Sequence, residues 1–157
     1  MKQITLRNQQ RAHPVNTRLL REIAAWVLDH PLKLPSYQLS IALVTAEKMA
    51  RVNKQFLDHD GSTDIITFDY KDGYDLPENA DSAILGELFI SVPDAIQQAV
   101  LFKTKWHEEL ARYLIHGILH LLGFDDLSPE KRKVMKKEEN RLLALTRRKF
   151  DLSRIGS

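Results

Sequence analysis

Apolar residues recur along this chain with two periods, and the switches between them mark out its elements. Gln3-Ile4-Thr5-Leu6 alternates as a short strand. Pro14-Val15-Asn16 then opens a helix whose apolar positions Leu19, Leu20, Ile23, Trp26 and Val27 keep to one face until His30-Pro31 ends it. Residues 37–45 predict a second strand, and Thr45 caps a helix carrying Met49, Val52, Asn53 and Phe56 that stops near the Asp58-His59-Asp60-Gly61 turn. Residues 64–68 and 84–91 predict a third and a fourth strand, antiparallel neighbours joined by polar residues 71–81, which read as an exposed hairpin loop. Ser91 caps the next helix, Thr104 caps another running to about Leu122, and Ser128-Pro129-Glu130 opens the last. The order β-α-β-α-β-β-α-α-α predicts an α+β fold, a mixed four-stranded sheet with about five packed helices, with residues 1–157 as a single domain.

Composition narrows the classes. With 157 residues, 43% hydrophobic and 28% charged, the chain suits one folded core and neither wholesale disorder nor a fibrous repeat. Its apolar stretch around Tyr113 to Phe124 is broken by two histidines and two glycines, far short of the roughly 20 residues a membrane span needs. The N-terminus lacks the apolar core and small residues of a secretory signal, so a cytoplasmic protein without a membrane partner is expected. There is no cysteine, so any metal must be held by His, Asp or Glu. The net charge of +2 hides a segregation: residues 58–94 carry ten acids and one base, Lys71, whereas residues 128–157 carry ten bases and four acids. That basic segment suits phosphate-backbone binding and equally a solvated helix face.

His116 and His120 stand four residues apart on the predicted helix ending at Leu122, so their imidazoles project from one face and can grip a single ion. Gly123 suits the left-handed residue that ends a helix, and the chain can then return Phe124-Asp125-Asp126 to the same ion with Asp126 as third ligand. The same spacing also fits two partly buried histidines of a core helix, and it does not choose between them. Gly117 stands where a zinc-protease signature places its general-base Glu, which argues against a standard metalloprotease. A glycine there admits a close approach by substrate or by packed backbone. Three protein ligands and one open position on a zinc imply hydrolysis.

The run His116-Gly117-Ile118-Leu119-His120-Leu121-Leu122-Gly123-Phe124-Asp125-Asp126 closely resembles the H-G-x-L-H-L-x-G-[YF]-D-H signature of the YbeY-type endoribonucleases. Thr63-Asp64-Ile65-Ile66-Thr67-Phe68 resembles that family's T-D-V-L-S-F, and Leu85 to Ser91 resembles its L-G-D-I-x-I-S, with Asn53 also in place. The resemblance implies a metal-dependent, single-strand-specific endoribonuclease of ribosomal RNA maturation and ribosome quality control. Its partners would be ribosomal RNA and the ribosome, with no DNA expected. It implies a zincin-like arrangement with the metal site on a central helix, one Zn²⁺ per chain on His116, His120 and Asp126, and Asp125 or Glu87 supporting the ligands or acting as base. Two positions depart from the pattern. Asp126 replaces the third histidine, and Phe56-Leu57 replaces a Tyr-Arg pair whose arginine the family pattern assigns to RNA contact or phosphate charge. Lys54 and Arg51, about one turn earlier, are the candidate replacements. The two departures frame the alternative expectation, a ribosome-associated module with weakened or lost catalysis and a structural metal.

Overall fold

The computed structural model describes residues 1–71 and 82–156. Strands β1 (Lys2–Asn8), β2 (Tyr37–Val44), β3 (Ile65–Asp69) and β4 (Leu85–Ser91) form one sheet in the order β1-β2-β4-β3. The first three in that order run parallel, and β3 is antiparallel to β4 with Ile65 opposite Ile90 and Asp69 opposite Gly86. Among the described residues the helices are α1 (Thr17–Asp29), α2 (Ala46–Leu57), α3 (Val92–Phe102), α4 (Trp106–Leu121) and α5 (Pro129–Lys149), followed by a 3₁₀ turn at Leu152–Gly156. This is the expected α+β fold with a mixed four-stranded sheet and five helices. The expected hairpin loop over residues 71–81 lies, from residue 72 onward, outside the described residues.

The helix starts follow capping chemistry. The side chains of Asn16, Thr45, Ser91 and Ser128 accept from the backbone N–H groups of Leu19, Lys48, Asp94 and Lys131. Pro14 and Val15 therefore precede α1 instead of opening it. Thr104 is not a cap: Lys105 holds that position without a side-chain bond, and the Thr104 hydroxyl donates instead to Glu109 Oε1 at 2.8 Å. An acid in the first turn of α4 competes for the hydroxyl and ties the α3–α4 connection to α4.

Strand alternation splits the core between the two faces of the sheet. Ala42, Val44, Ile66, Phe68 and Phe89 pack with Met49 and Val52 of α2. Leu39, Ile41, Leu43, Leu88 and Ile90 face the opposite side and join the core built with α1, α4 and α5. α4 lies against β3 and β4 and also contacts α1, α3 and α5, so it is the central helix. Its approach to the sheet depends on two glycines. A Cβ on Gly117 would come within 2.7 Å of Leu88 Cδ2 and 2.8 Å of Ile65 Cδ1, so this glycine serves helix-to-sheet packing and not a substrate. A Cβ on Gly86 would meet Leu121 Cδ2 at 2.5 Å and the Phe68 carbonyl oxygen at 2.6 Å.

The Phe68 carbonyl belongs to a paired strand and has little room to move. Gly86→Ala is therefore expected to lower stability by about 1–3 kcal/mol through overpacking, read as a fall in the urea unfolding midpoint. An unchanged midpoint would mean that β3 yields freely at this contact.

Candidate metal centre

Along α4, Leu110, Ala111, Leu114, Ile115, Ile118 and Leu119 are fully buried, which leaves His116 and His120 on the helix edge, each partly exposed. Their Nε2 atoms lie 3.1 Å apart. The other ring nitrogens are already engaged. His116 Nδ1 donates to Glu139 Oε1 at 2.8 Å, and His120 Nδ1 donates to the Phe124 carbonyl at 3.1 Å. Both acceptors are fixed by chemistry, a carboxylate and a carbonyl, so each imidazole keeps its proton on Nδ1 and presents a lone pair at Nε2. Two lone pairs 3.1 Å apart repel unless a cation or a proton lies between them.

The turn after α4 supplies the third donor. Gly123 takes φ +101°, and the Phe124 N–H returns to the Leu119 carbonyl at 3.0 Å, so the helix ends in the left-handed conformation and reverses. His116, His120 and Asp126 thereby bring ligand atoms within 4.8 Å of one another. Two imidazole nitrogens and one carboxylate form a donor set suited to zinc. Burial lowers the His120 pKa from its ordinary value, and the neighbouring His116 acts in the same sense, partly offset by Asp126 and Asp125. His120 is thus a neutral donor at physiological pH.

Glu139 is the residue that sequence reasoning missed. It is 3% exposed on α5 and accepts from His116, from Arg112 Nη1 at 2.7 Å and from Lys136 Nζ at 3.1 Å. Burial alone would raise its pKa, but these three donors together hold it down at about 2. The signal was present: Met135, Glu139, Leu142 and Leu143 fall on one helical face and all are buried, an acid inside an apolar stripe.

Of the other expected site residues, Glu87 lies apart from the cluster, whereas Asp125 is near enough to His120 to act on its charge. Glu87 sits between Gly86 and Leu88, which face α4, so alternation turns it to the other side of the sheet, where Arg7 and the Tyr70 hydroxyl donate to it at 3.0 and 2.8 Å. Asp125 accepts from Leu127 N at 3.0 Å and pairs with Lys131 at 3.4 Å. The Leu127 bond, helped by Lys131, lowers its pKa, so it is a turn-stabilising carboxylate and a weak base. Leu57 is the last residue of α2 and is 44% exposed. Lys54 is engaged with Asp58 and Asp60, and Arg51 is exposed on α2. Beside His116 and Asp126 opens a cleft of about 630 Å³, and its cations come from other helices: Arg112 of α4 and Arg132 and Lys136 of α5. Arg132 Nε also approaches the Asp126 carbonyl at 3.4 Å.

Removing the partner of His116 Nδ1 should loosen the ring. Glu139→Gln is expected to weaken zinc binding about 10–100-fold, measured by competition with a chromophoric chelator. The same change tests acid stability. A carboxyl whose folded pKa is depressed to about 2 from 4.5 contributes stability that is present above pH 4.5 and lost as pH falls towards 2. The metal-free Glu139→Gln variant should therefore show a shallower loss of stability across that window than the wild type. Equal slopes would show that Glu139 is not held ionised by its neighbours.

Comparisons with known proteins agree with the geometry. The model of the family described as endoribonuclease YbeY matches residues 5–147. An endoribonuclease YbeY of Parabacteroides distasonis is 45% identical over 107 residues, covering 68% of this chain and 70% of the relative. One from Bacteroides thetaiotaomicron is 38% identical over 127 residues, covering 80% and 87%. The solution structure of a Thermotoga maritima protein shares the fold, with a TM-score of 0.64 at 23% identity over 91% of this chain and 88% of that one. With the family match spanning nearly the whole chain and the paired histidines in their expected geometry, this chain belongs to the endoribonuclease YbeY family.

Proposed function

We propose that this protein is a zinc-dependent endoribonuclease specific for single strands, acting in the cytoplasm on ribosomal RNA in its maturation and in ribosome quality control. The observation that carries the reading is the convergence of His116 Nε2, His120 Nε2 and the Asp126 carboxylate beside a cleft lined by Arg112, Arg132 and Lys136. His116, His120 and Asp126 would hold a divalent ion, which would supply Lewis acidity and lower the pKa of water at the site.

The remaining work falls to the chain itself. Glu139 orients His116 and stabilises positive charge on its ring, and the Phe124 carbonyl does the same for His120. Arg112, Arg132 and Lys136 draw the phosphate backbone into the cleft and meet negative charge as it grows on the phosphoryl oxygens. These cations supply at the cleft what Leu57 lacks. The Asp126 carboxylate adds negative charge to the donor set relative to histidine, which favours retention of the ion while softening its Lewis acidity.

Zinc-loaded wild type is expected to cut a single-stranded oligoribonucleotide and to spare the same sequence in a duplex, and His116→Ala is expected to abolish cutting. Asp126→Ala should lower zinc occupancy, whereas Asp126→His should keep it, since imidazole is an equally good zinc donor. A wild-type protein that holds zinc at one per chain yet leaves single-stranded RNA intact would overturn the reading.

A further inference from the structure

The cleft beside the metal cluster also has aromatic and apolar lining, including Phe102, Tyr113, Ile65 and Met135. α3 contributes Gln98 and Phe102, one helical turn apart on the same face, and both line the cleft. Phe102 is 67% exposed, so its ring is accessible in the cleft. Its backbone is held. Lys103 ends α3 at φ +54°, the Thr104 N–H donates to the Ala99 carbonyl at 2.9 Å, and the Thr104 hydroxyl is fixed on Glu109. A left-handed conformation at a lysine costs about 1–2 kcal/mol, and here it fixes the end of the helix that presents the ring. The same cleft is lined by Arg132 and Lys136 of α5 and by Glu109, Arg112, Tyr113 and His116 of α4.

From this arrangement we infer that Phe102 is the base-stacking platform of the RNA site, with Gln98 at the base edge and Arg132 on the adjoining phosphate. The inference rests on the endoribonuclease reading and adds to it a residue that selects single strands. An exposed ring that shares a cleft with cations matches a nucleotide, which offers a π-face and a negative charge together. A base paired in a duplex cannot offer its face to the ring, so the platform discriminates against double strands without reading sequence. Glu109 and His116 are seven residues apart, about 10 Å along the axis of α4. Phe102 lies beside the Glu109 end, because its connection is tied there, so the stacked base is a neighbour of the scissile nucleotide.

The test uses a short single-stranded oligoribonucleotide carrying a fluorescent purine analogue, titrated with the full-length protein, together with a set in which one base at a time is replaced by an abasic residue. Wild type should bind, quench the analogue at one position, and lose about tenfold in affinity when that position is abasic. Phe102→Ala should lose the same factor on the intact strand, should not quench, and should lose nothing more at the abasic position, the non-additivity expected of two groups in contact. Phe102→Trp should restore both quench and affinity. Equal affinities for wild type and Phe102→Ala on every strand would overturn the platform and leave the endoribonuclease reading standing, the outcome expected if Phe102 instead docks a protein. A loss in Phe102→Ala that is independent of the abasic position would also overturn it. Failure of wild type to bind or cut any single strand would overturn both.

Discussion

A carboxylate removed from water must be met by donors, and Glu139 imposes that condition on the half of the molecule that carries the candidate metal centre. Arg112 and His116 come to it from α4 and Lys136 from its own helix. Meeting it fixes how α5 lies on α4, which nitrogen of His116 carries the proton, and where two of the three cleft cations stand. Met135, Leu142 and Leu143 are buried on the same face of α5, so the carboxylate shares its helical stripe with apolar core and depends on these donors. One buried charge thus connects helix packing to ligand chemistry.

The sheet meets the same helix from below with a steric condition in place of an electrostatic one. Gly117 on α4 and Gly86 on β4 remove two side chains at the closest approach, and Leu88, Ile65 and Leu121 occupy the space. That contact sets the rotation of α4 about its axis. With Gly117 turned to the sheet, His116 and His120 fall at the helix edge beside α5 and the cleft, where they can reach both Glu139 and the returning Asp126.

Much of this is legible in the sequence. Period-two and helical patterns give the strands and helices in their observed order, because each element is amphipathic, and Thr45, Ser91 and Ser128 mark three helix starts because their cap bonds are local. The paired histidines and Gly123 give the cluster because four-residue spacing and a left-handed glycine act within one turn. Thr104 was misread because a competing acceptor, Glu109, lies in the first turn of the helix. The family resemblance brings Glu87 to the site through the Leu85–Ser91 motif, although alternation with Gly86 and Leu88 turns its side chain to the other face. Glu139 does not stand out among the charges of α5, since two of its three partners, His116 and Arg112, lie 23 and 27 residues earlier and only tertiary packing joins them. The cleft itself, with walls from α3 and α5, is a property of packing and has no local signature.

The turn at Gly123 carries a consequence for the order of assembly. His116, His120, Asp126 and Glu139 all lie on one helical hairpin, α4 and α5, closed by the few residues from Leu122 to Ser128. Loop-closure entropy grows with the length of chain enclosed, so bringing these four together is among the least demanding closures in the molecule. The sheet is the reverse case: the parallel pairings of β1 with β2 and of β2 with β4 enclose whole helices, and Lys2 must find Tyr37 and Gln38 must find Leu85. Contact order therefore divides the protein in two, a locally wired half that carries the chemistry and a non-locally wired half whose search through chain conformations sets the pace of folding.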